Sequence, residues 1–61
     1  MYLVIPRINS NEYMFEIAQT FKTFSEAEIY KYQLLQLYEH VNIFELKDNG
    51  NVQLKATEYD D

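Results

Sequence analysis

Cysteine is absent from this chain and histidine occurs once, which excludes the usual stabilising groups of a small protein. Without cysteine, neither a disulfide nor a thiolate zinc site can form. His40 alone cannot supply a site built from several histidines. A chain of 61 residues buries only about 60% of the surface that its unfolded form exposes, so oligomerisation is the natural supplement that remains.

Basic residues and long apolar runs are also scarce. Five Lys and Arg stand against ten Asp and Glu, which gives a net charge of −5. Phosphate backbones and anionic membranes attract Lys and Arg, so nucleic acid and membrane partners are disfavoured, whereas a basic protein surface would be attracted. No segment approaches the roughly 20 apolar residues of a membrane span, and Met1 to Pro6 lacks the basic lead of a signal peptide. We therefore expect a soluble, cytoplasmic protein.

Glycine occurs only at Gly50, which excludes the Gly-rich loops that bind phosphates and dinucleotides. The stretch from Asp48 to Asn51 lacks the spacing and the closing Glu of an EF-hand calcium loop. His40 is the one candidate base for neutral pH, and its expected place in the last helical turn favours a capping role over catalysis. We expect no enzymatic activity, no cofactor and no metal site.

Apolar and aromatic residues are abundant, at 48% and 16% of the sequence, which is typical of a folded domain and not of disorder. Phe, Tyr, Met, Ile, Asn and Lys total 26 residues, against six for Gly, Ala, Arg and Pro. The first group has AT-rich codons, which indicates a low-GC genome. The expected location is the cytoplasm of a low-GC bacterium or of a host infected by one of its phages.

Residues 2–24 are expected to form a β-hairpin, because two β-prone runs flank a polar turn. A tip at Ser10 and Asn11 pairs Val4 with Ile17. The second run alternates, and the residues expected on its buried side are Tyr13, Phe15, Ile17 and Phe21.

The first strand carries two unusual features. Pro6 cannot donate a ladder hydrogen bond, so the strand should be an edge near Pro6 or should start beyond it. Leu3, Val4 and Ile5 place apolar side chains on both faces of the strand, so both faces should be covered.

A second hairpin is expected around residues 48–50. A two-residue turn would leave the apolar residues of one strand opposite polar residues of the other. A three-residue loop instead pairs Leu46 with Val52 and Phe44 with Leu54, and burial should select this register. Gly50 then takes the left-handed position of a bulge.

The helix is expected over residues 26–40. Ser25 and Glu28 form a predicted capping box, and Phe24 and Ile29 a hydrophobic staple. The order ββαββ predicts an α+β domain with one helix packed on an antiparallel sheet of about four strands. We expect one compact domain over residues 1–57 and a short acidic tail over residues 58–61.

This helix would have two apolar faces. The stripe expected on the sheet comprises Ala27, Tyr30, Leu34, Leu37, Tyr38 and Val41. A second strip, roughly opposite, contains Ile29, Tyr32 and Leu35, and these are the candidate interface residues. Scattered exposed apolar residues are also normal, so the strip could be ordinary surface. If it is an interface, a symmetric homodimer is the first expectation.

Three functions remain open at this point. The leading hypothesis is a small protein-binding module, in size, acidity and codon bias like the accessory proteins with which phages block host proteins. A nucleic-acid-binding regulator would use the hairpins and the lysines Lys22, Lys31, Lys47 and Lys55. A DNA-mimic inhibitor would present a candidate acidic surface of Glu26, Glu28, Glu39, Glu58, Asp60 and Asp61.

Overall fold

One helix packs against one face of an antiparallel sheet in the computed structural model, which describes the backbone of residues 1–9 and 12–59 and side chains up to Leu54. The expected α+β fold is therefore confirmed, and the ββαββ order roughly matches. The elements, in chain order, are β1 (Tyr2–Asn9), β2 (Glu12–Tyr13), a 3₁₀ helix (Phe15–Ile17), β3 (Gln19–Phe21), α1 (Phe24–Leu34), β4 (His40–Leu46) and β5 (Val52–Tyr59).

The sheet is built around β1, which pairs with β4 on one side and with β2 and β3 on the other. Among the described residues the strand order is β2-β1-β4-β5, with β3 beside β1. Pairing of β4 with β5 extends to His40 and Tyr59, so two residues of the expected acidic tail belong to a strand. Asp60 and Asp61 lie outside the described residues, and the domain boundary stays a prediction.

The predicted register of the first hairpin is wrong. Val4 pairs with Gln19 and not with Ile17, because the 3₁₀ helix interrupts the second run and takes up additional residues. The interruption also divides the predicted buried side. Tyr13 lies opposite Arg7, whereas Phe21 lies opposite Tyr2 on the other face of the sheet.

Pro6 explains where the second run breaks. The strand does not start beyond Pro6, because Pro6 pairs with Val41 of β4. On the opposite side of β1, neither β2 nor β3 has a ladder partner for Pro6, so β1 is locally an edge there, which was the other predicted alternative. The Pro6 carbonyl accepts a hydrogen bond from the Met14 amide at 2.9 Å, so the missing Pro N–H faces the same side. Residues 14–18, which lie between β2 and β3, form no ladder opposite it. The ladder beside β1 is therefore interrupted at the position where Pro6 has no N–H to donate.

The predicted register of the second hairpin is confirmed. Phe44 pairs with Leu54 and Leu46 with Val52. The Lys47 amide donates to the Asn51 carbonyl at 2.9 Å, which closes a loop over residues 48–50. Gly50 has φ of 86°, the left-handed conformation expected of it.

The helix begins two residues earlier than predicted, and its cap is Thr23 instead of Ser25. The Thr23 hydroxyl accepts from the Glu26 amide at 3.3 Å and donates to Glu26 Oε1 at 2.9 Å. Thr23 and Glu26 therefore make the hydroxyl-to-amide contact predicted for Ser25 and Glu28, whereas the Glu26 carboxylate contacts the cap hydroxyl and not the cap amide. The predicted staple is also wrong, because Phe24 is the first residue of α1 and not the residue before its cap. Its ring packs edge-on against Tyr2, with ring centroids 5.4 Å apart.

The helix also ends earlier than predicted, at Leu34. Its last turn tightens, since the Leu37 amide donates to the Leu34 carbonyl at 2.9 Å. His40 is consequently the first residue of β4, opposite Arg7, and not a helix cap. The helix ends early because the residues that follow pack in the sheet: Val41 and Ile43 are fully buried in β4, which pairs with β1.

The core lies between α1 and the sheet. Its buried cluster consists of Val4, Ala27, Leu34, Val41 and Ile43. Tyr30 and Tyr38 of the predicted stripe pack against this cluster, whereas Leu37, beyond the helix end, is 78% exposed. The ring centroids of Phe21 and Tyr30 are 5.4 Å apart, and the Tyr30 hydroxyl donates a hydrogen bond to the Ile17 carbonyl at 2.9 Å.

Candidate docking surface

The sheet has a second apolar face that α1 does not cover. Val4 and Ile43 point toward α1, so their neighbours in β1 and β4 point the other way. Leu3 pairs with Phe44, which pairs in turn with Leu54, so one apolar row crosses three strands. We call this surface the open face and define it by Leu3, Ile5, Tyr13, Phe15, Phe44, Leu46, Val52 and Leu54.

The open face is concave. Seven of its eight residues, all but Leu54, line a depression of about 270 Å³. Ile5 is buried, while Phe15, Val52 and Leu54 are 74%, 60% and 50% exposed. No charged side chain is among the residues that line the depression. The depression is therefore lined by apolar and aromatic side chains, and none of its lining residues is charged.

Aromatic rings form one wall of the depression. Tyr13 lies 6.0 Å from Phe15 and 6.3 Å from Phe44, measured between ring centroids. The 3₁₀ helix that starts at Phe15 brings that ring beside β2, although Phe15 belongs to no strand. Contacts of this kind hold the rings in place, because aromatic pairs at such separations attract each other.

Polar side chains lie at the other end of the same sheet face. Arg7 pairs with His40, and Asn42 pairs with Ile5. Asn42 is 4% exposed, and its amide nitrogen donates to the Tyr13 hydroxyl at 3.3 Å. This bond connects the polar end to the aromatic wall.

The one histidine of the chain lies at the start of β4, away from the open face's apolar row. His40 is half-buried, with Nε2 4.0 Å from Oε2 of the exposed Glu39. Among the side chains that the structure describes, in residues 1–9 and 12–54, no three His, Cys, Asp or Glu are grouped so that they could hold a metal ion.

The candidate interface residues of the helix do not form one strip. Ile29 and Tyr32 are 62% and 57% exposed on the outer side of α1. Leu35 instead is half-buried and packs against the core cluster. Lys31, buried to 2% exposure, places its ammonium 4.6 Å from the centroid of the Tyr32 ring. The structure thus leaves two exposed apolar side chains where the sequence pattern predicted three.

The candidate acidic residues are distributed along the molecule. Glu26 is exposed in the first turn of α1, and Glu28 is half-buried in the same helix. Glu39 is exposed beyond the other end of the helix. Glu58 belongs to β5 but its side chain lies outside the described residues, as do Asp60 and Asp61 entirely.

Sequence reasoning did not identify the open face as a site, although a signal for it was present. The run Leu3 to Ile5 is apolar on both faces, which already required two covers. The apolar pairs of the second hairpin, Phe44 with Leu54 and Leu46 with Val52, extend the same face. What the sequence did not indicate is that the single helix covers the other side only.

Two further findings bear on function. No helix in the described part of the chain has the length and apolar character needed to cross a membrane. Comparison of the chain with known protein families, curated proteins and solved structures finds no match.

Proposed function

We propose that this protein is a small, non-enzymatic protein-binding module and that the open face is its docking surface. The observation that carries the proposal is an apolar sheet face, continuous over β1, β4 and β5, which α1 leaves exposed. Monomeric proteins rarely expose a contiguous apolar patch larger than a few hundred Å² unless it binds something.

Energetics support a docking role for this face. Phe15, Val52 and Leu54 are each at least half exposed. Fully burying a large apolar side chain contributes about 1.5–3 kcal/mol, so covering these three would provide several kcal/mol toward association. Part of that free energy is offset by the cost of bringing two molecules together.

Charge distribution supports a partner with an apolar surface. The chain carries a net charge of −5, yet the lining of the depression contains no carboxylate. A partner with an apolar surface can therefore approach without burying an unpaired charge, which would cost several kcal/mol. The acidic residues elsewhere keep the remaining surface hydrated.

The outer side of α1 is the weaker candidate. Ile29 and Tyr32 are exposed, but Leu35 is already used by the core. The open face, by comparison, has three apolar side chains that are at least half exposed and four more that are partly exposed. Association in solution therefore depends on the sheet and not on the helix.

A library of random peptides displayed on phage tests the proposal against the immobilised protein. We expect selected peptides to bind the wild type and to lose binding to the double variant V52E/L54E. The matched control is I29E/Y32E, which adds the same charge at positions of similar exposure on α1. Peptide binding that survives V52E/L54E, or that disappears in I29E/Y32E, contradicts the proposal.

A further inference from the structure

We infer that the occupant of the open face is a second copy of this chain, packed sheet against sheet across a two-fold axis. The inference rests on the proposed function, since it names the partner of the same surface. Each protomer would contribute its helix to the outside and its open face to the inside. The two sheets would lie about 10 Å apart, the usual spacing of packed sheets.

Strand addition at the sheet edges is the alternative route to a dimer, and both edges are interrupted. The ladder between β4 and β5 passes from the pair Ile43–Ala56 to the pair Phe44–Leu54, so Lys55 is an extra, bulged residue of the outer strand. On the opposite side, the 3₁₀ helix separates β2 from β3. Bulges, edge lysines and short edge strands are the devices that prevent edge-to-edge pairing. Among the described strands, the face is thus better suited to self-association than either edge.

Charge restricts a second copy to this face of the molecule. Two molecules that each carry a net charge of −5 repel one another over most orientations. The open face is lined without a carboxylate, so two copies can meet there without placing like charges in direct contact. On α1, by contrast, Glu28 lies next to Ile29, and two copies would bring such carboxylates together.

The size of the face is compatible with a dimer of modest affinity. Four strands spaced about 4.8 Å apart and about five residues long give a footprint of roughly 300 Å². Side chains protrude from that plane, so each protomer would bury roughly 500 Å², which places the whole interface near the lower limit of specific complexes, about 1,000 Å². An interface of this size is typical of weak complexes, so we expect dimerisation only at high protein concentration.

Two-fold symmetry uses the same patch of both protomers, so residues near the axis lie close to their own copies. Phe44 lies in the middle of the apolar row, between Leu3 and Leu54. Aromatic side chains in the centre of an interface commonly provide most of the binding free energy. Phe44 and the neighbouring Tyr13 are therefore the expected central contacts.

Sedimentation equilibrium tests the inference, with protein concentrations from about 10 μM to about 1 mM. We expect the wild type to pass from monomer to dimer over this range and I29E/Y32E to behave in the same way. V52E/L54E should weaken dimerisation at least about 100-fold, because the dimer would bury four carboxylates without partners. F15S, at a residue that is 74% exposed and outside the strands, provides a second variant should V52E/L54E lose its circular dichroism.

The outcomes separate this inference from the proposed function. A wild type that stays monomeric at about 1 mM overturns the inference. The proposed docking function survives that result if displayed peptides still bind through Val52 and Leu54. A dimer that I29E/Y32E abolishes, or that neither V52E/L54E nor F15S weakens, also overturns the inference. Failure of both the sedimentation and the peptide experiments overturns the docking function itself.

Discussion

The N-terminal cap of α1 provides a sharp test of how the helix is specified. Replacing Thr23 with Ala removes the acceptor for the Glu26 amide and the hydroxyl that donates to Glu26 Oε1. Loss of such a cap costs about 1 kcal/mol, and the amide contact of 3.3 Å is at the long end of normal hydrogen bonds. In a domain of this size, about 1 kcal/mol lowers the unfolding midpoint by roughly 4–8 °C.

Ser25→Ala is the matched control, because Ser25 occupies the second residue of α1 and is exposed. Alanine is the better helix former there, so S25A should leave the midpoint unchanged or raise it slightly. Thermal unfolding followed by circular dichroism compares the two variants at one fixed protein concentration, since the proposed dimerisation would make the midpoint concentration-dependent. If S25A loses as much stability as T23A, the helix begins where the sequence pattern placed it, and the assignment of the cap to Thr23 is refuted.

Three further substitutions test the turn, the core and the contact between α1 and the 3₁₀ helix, each by chemical denaturation. G50A should lower the free energy of unfolding by about 1 kcal/mol, because an L-residue is strained at a φ of 86°. The added methyl group meets no heavy atom within 4 Å, so a D-alanine at this position should not destabilise the protein. I43A should cost about 2–5 kcal/mol because Ile43 is fully buried, and a loss below about 1 kcal/mol would mean that this core is not closely packed. Y30F should cost about 1 kcal/mol by removing the 2.9 Å hydrogen bond to the Ile17 carbonyl; an unchanged free energy of unfolding would show that water replaces the hydroxyl without loss.

The second hairpin illustrates what the sequence alone can predict. Only one register pairs apolar residues with apolar residues, and Gly50 meets the need for a positive φ. In this hairpin the apolar pattern of the sequence agrees with the pairing in the sheet, so the pattern alone was enough to predict the register. The pairs lie partly in solvent, with Val52 60% exposed, which the pattern could not indicate.

The first hairpin and the helix illustrate what the sequence could not predict. The apolar residues of 13–21 alternate in the sequence even though residues 15–17 form a 3₁₀ helix. Alternation within one segment cannot show a break that is caused by Pro6 in the neighbouring strand. At the helix start, Thr23 with Glu26 and Ser25 with Glu28 satisfy the same capping pattern. In the structure α1 starts at Phe24, whose ring packs on Tyr2 of β1. This contact joins residues far apart in the sequence, so the local capping pattern does not display it.

The candidate site was missed for a related reason. Its residues come from β1, β2, β4, β5 and the 3₁₀ helix, so no local pattern displays them together. The helix strip of Ile29, Tyr32 and Leu35 was visible because it lies on one element. Assignment of Leu35 to the core required knowledge of where α1 ends.

Concentration-dependent NMR shifts test most directly the central claim that the open face is the surface through which this protein associates. Amide and methyl signals are recorded during dilution from about 1 mM to about 10 μM. We predict that the signals that move belong to Leu3, Ile5, Phe44, Leu46 and Val52, and that those of Ile29 and Tyr32 stay in place. Shifts confined to the outer side of α1, or no shifts at all over this range, would contradict the account.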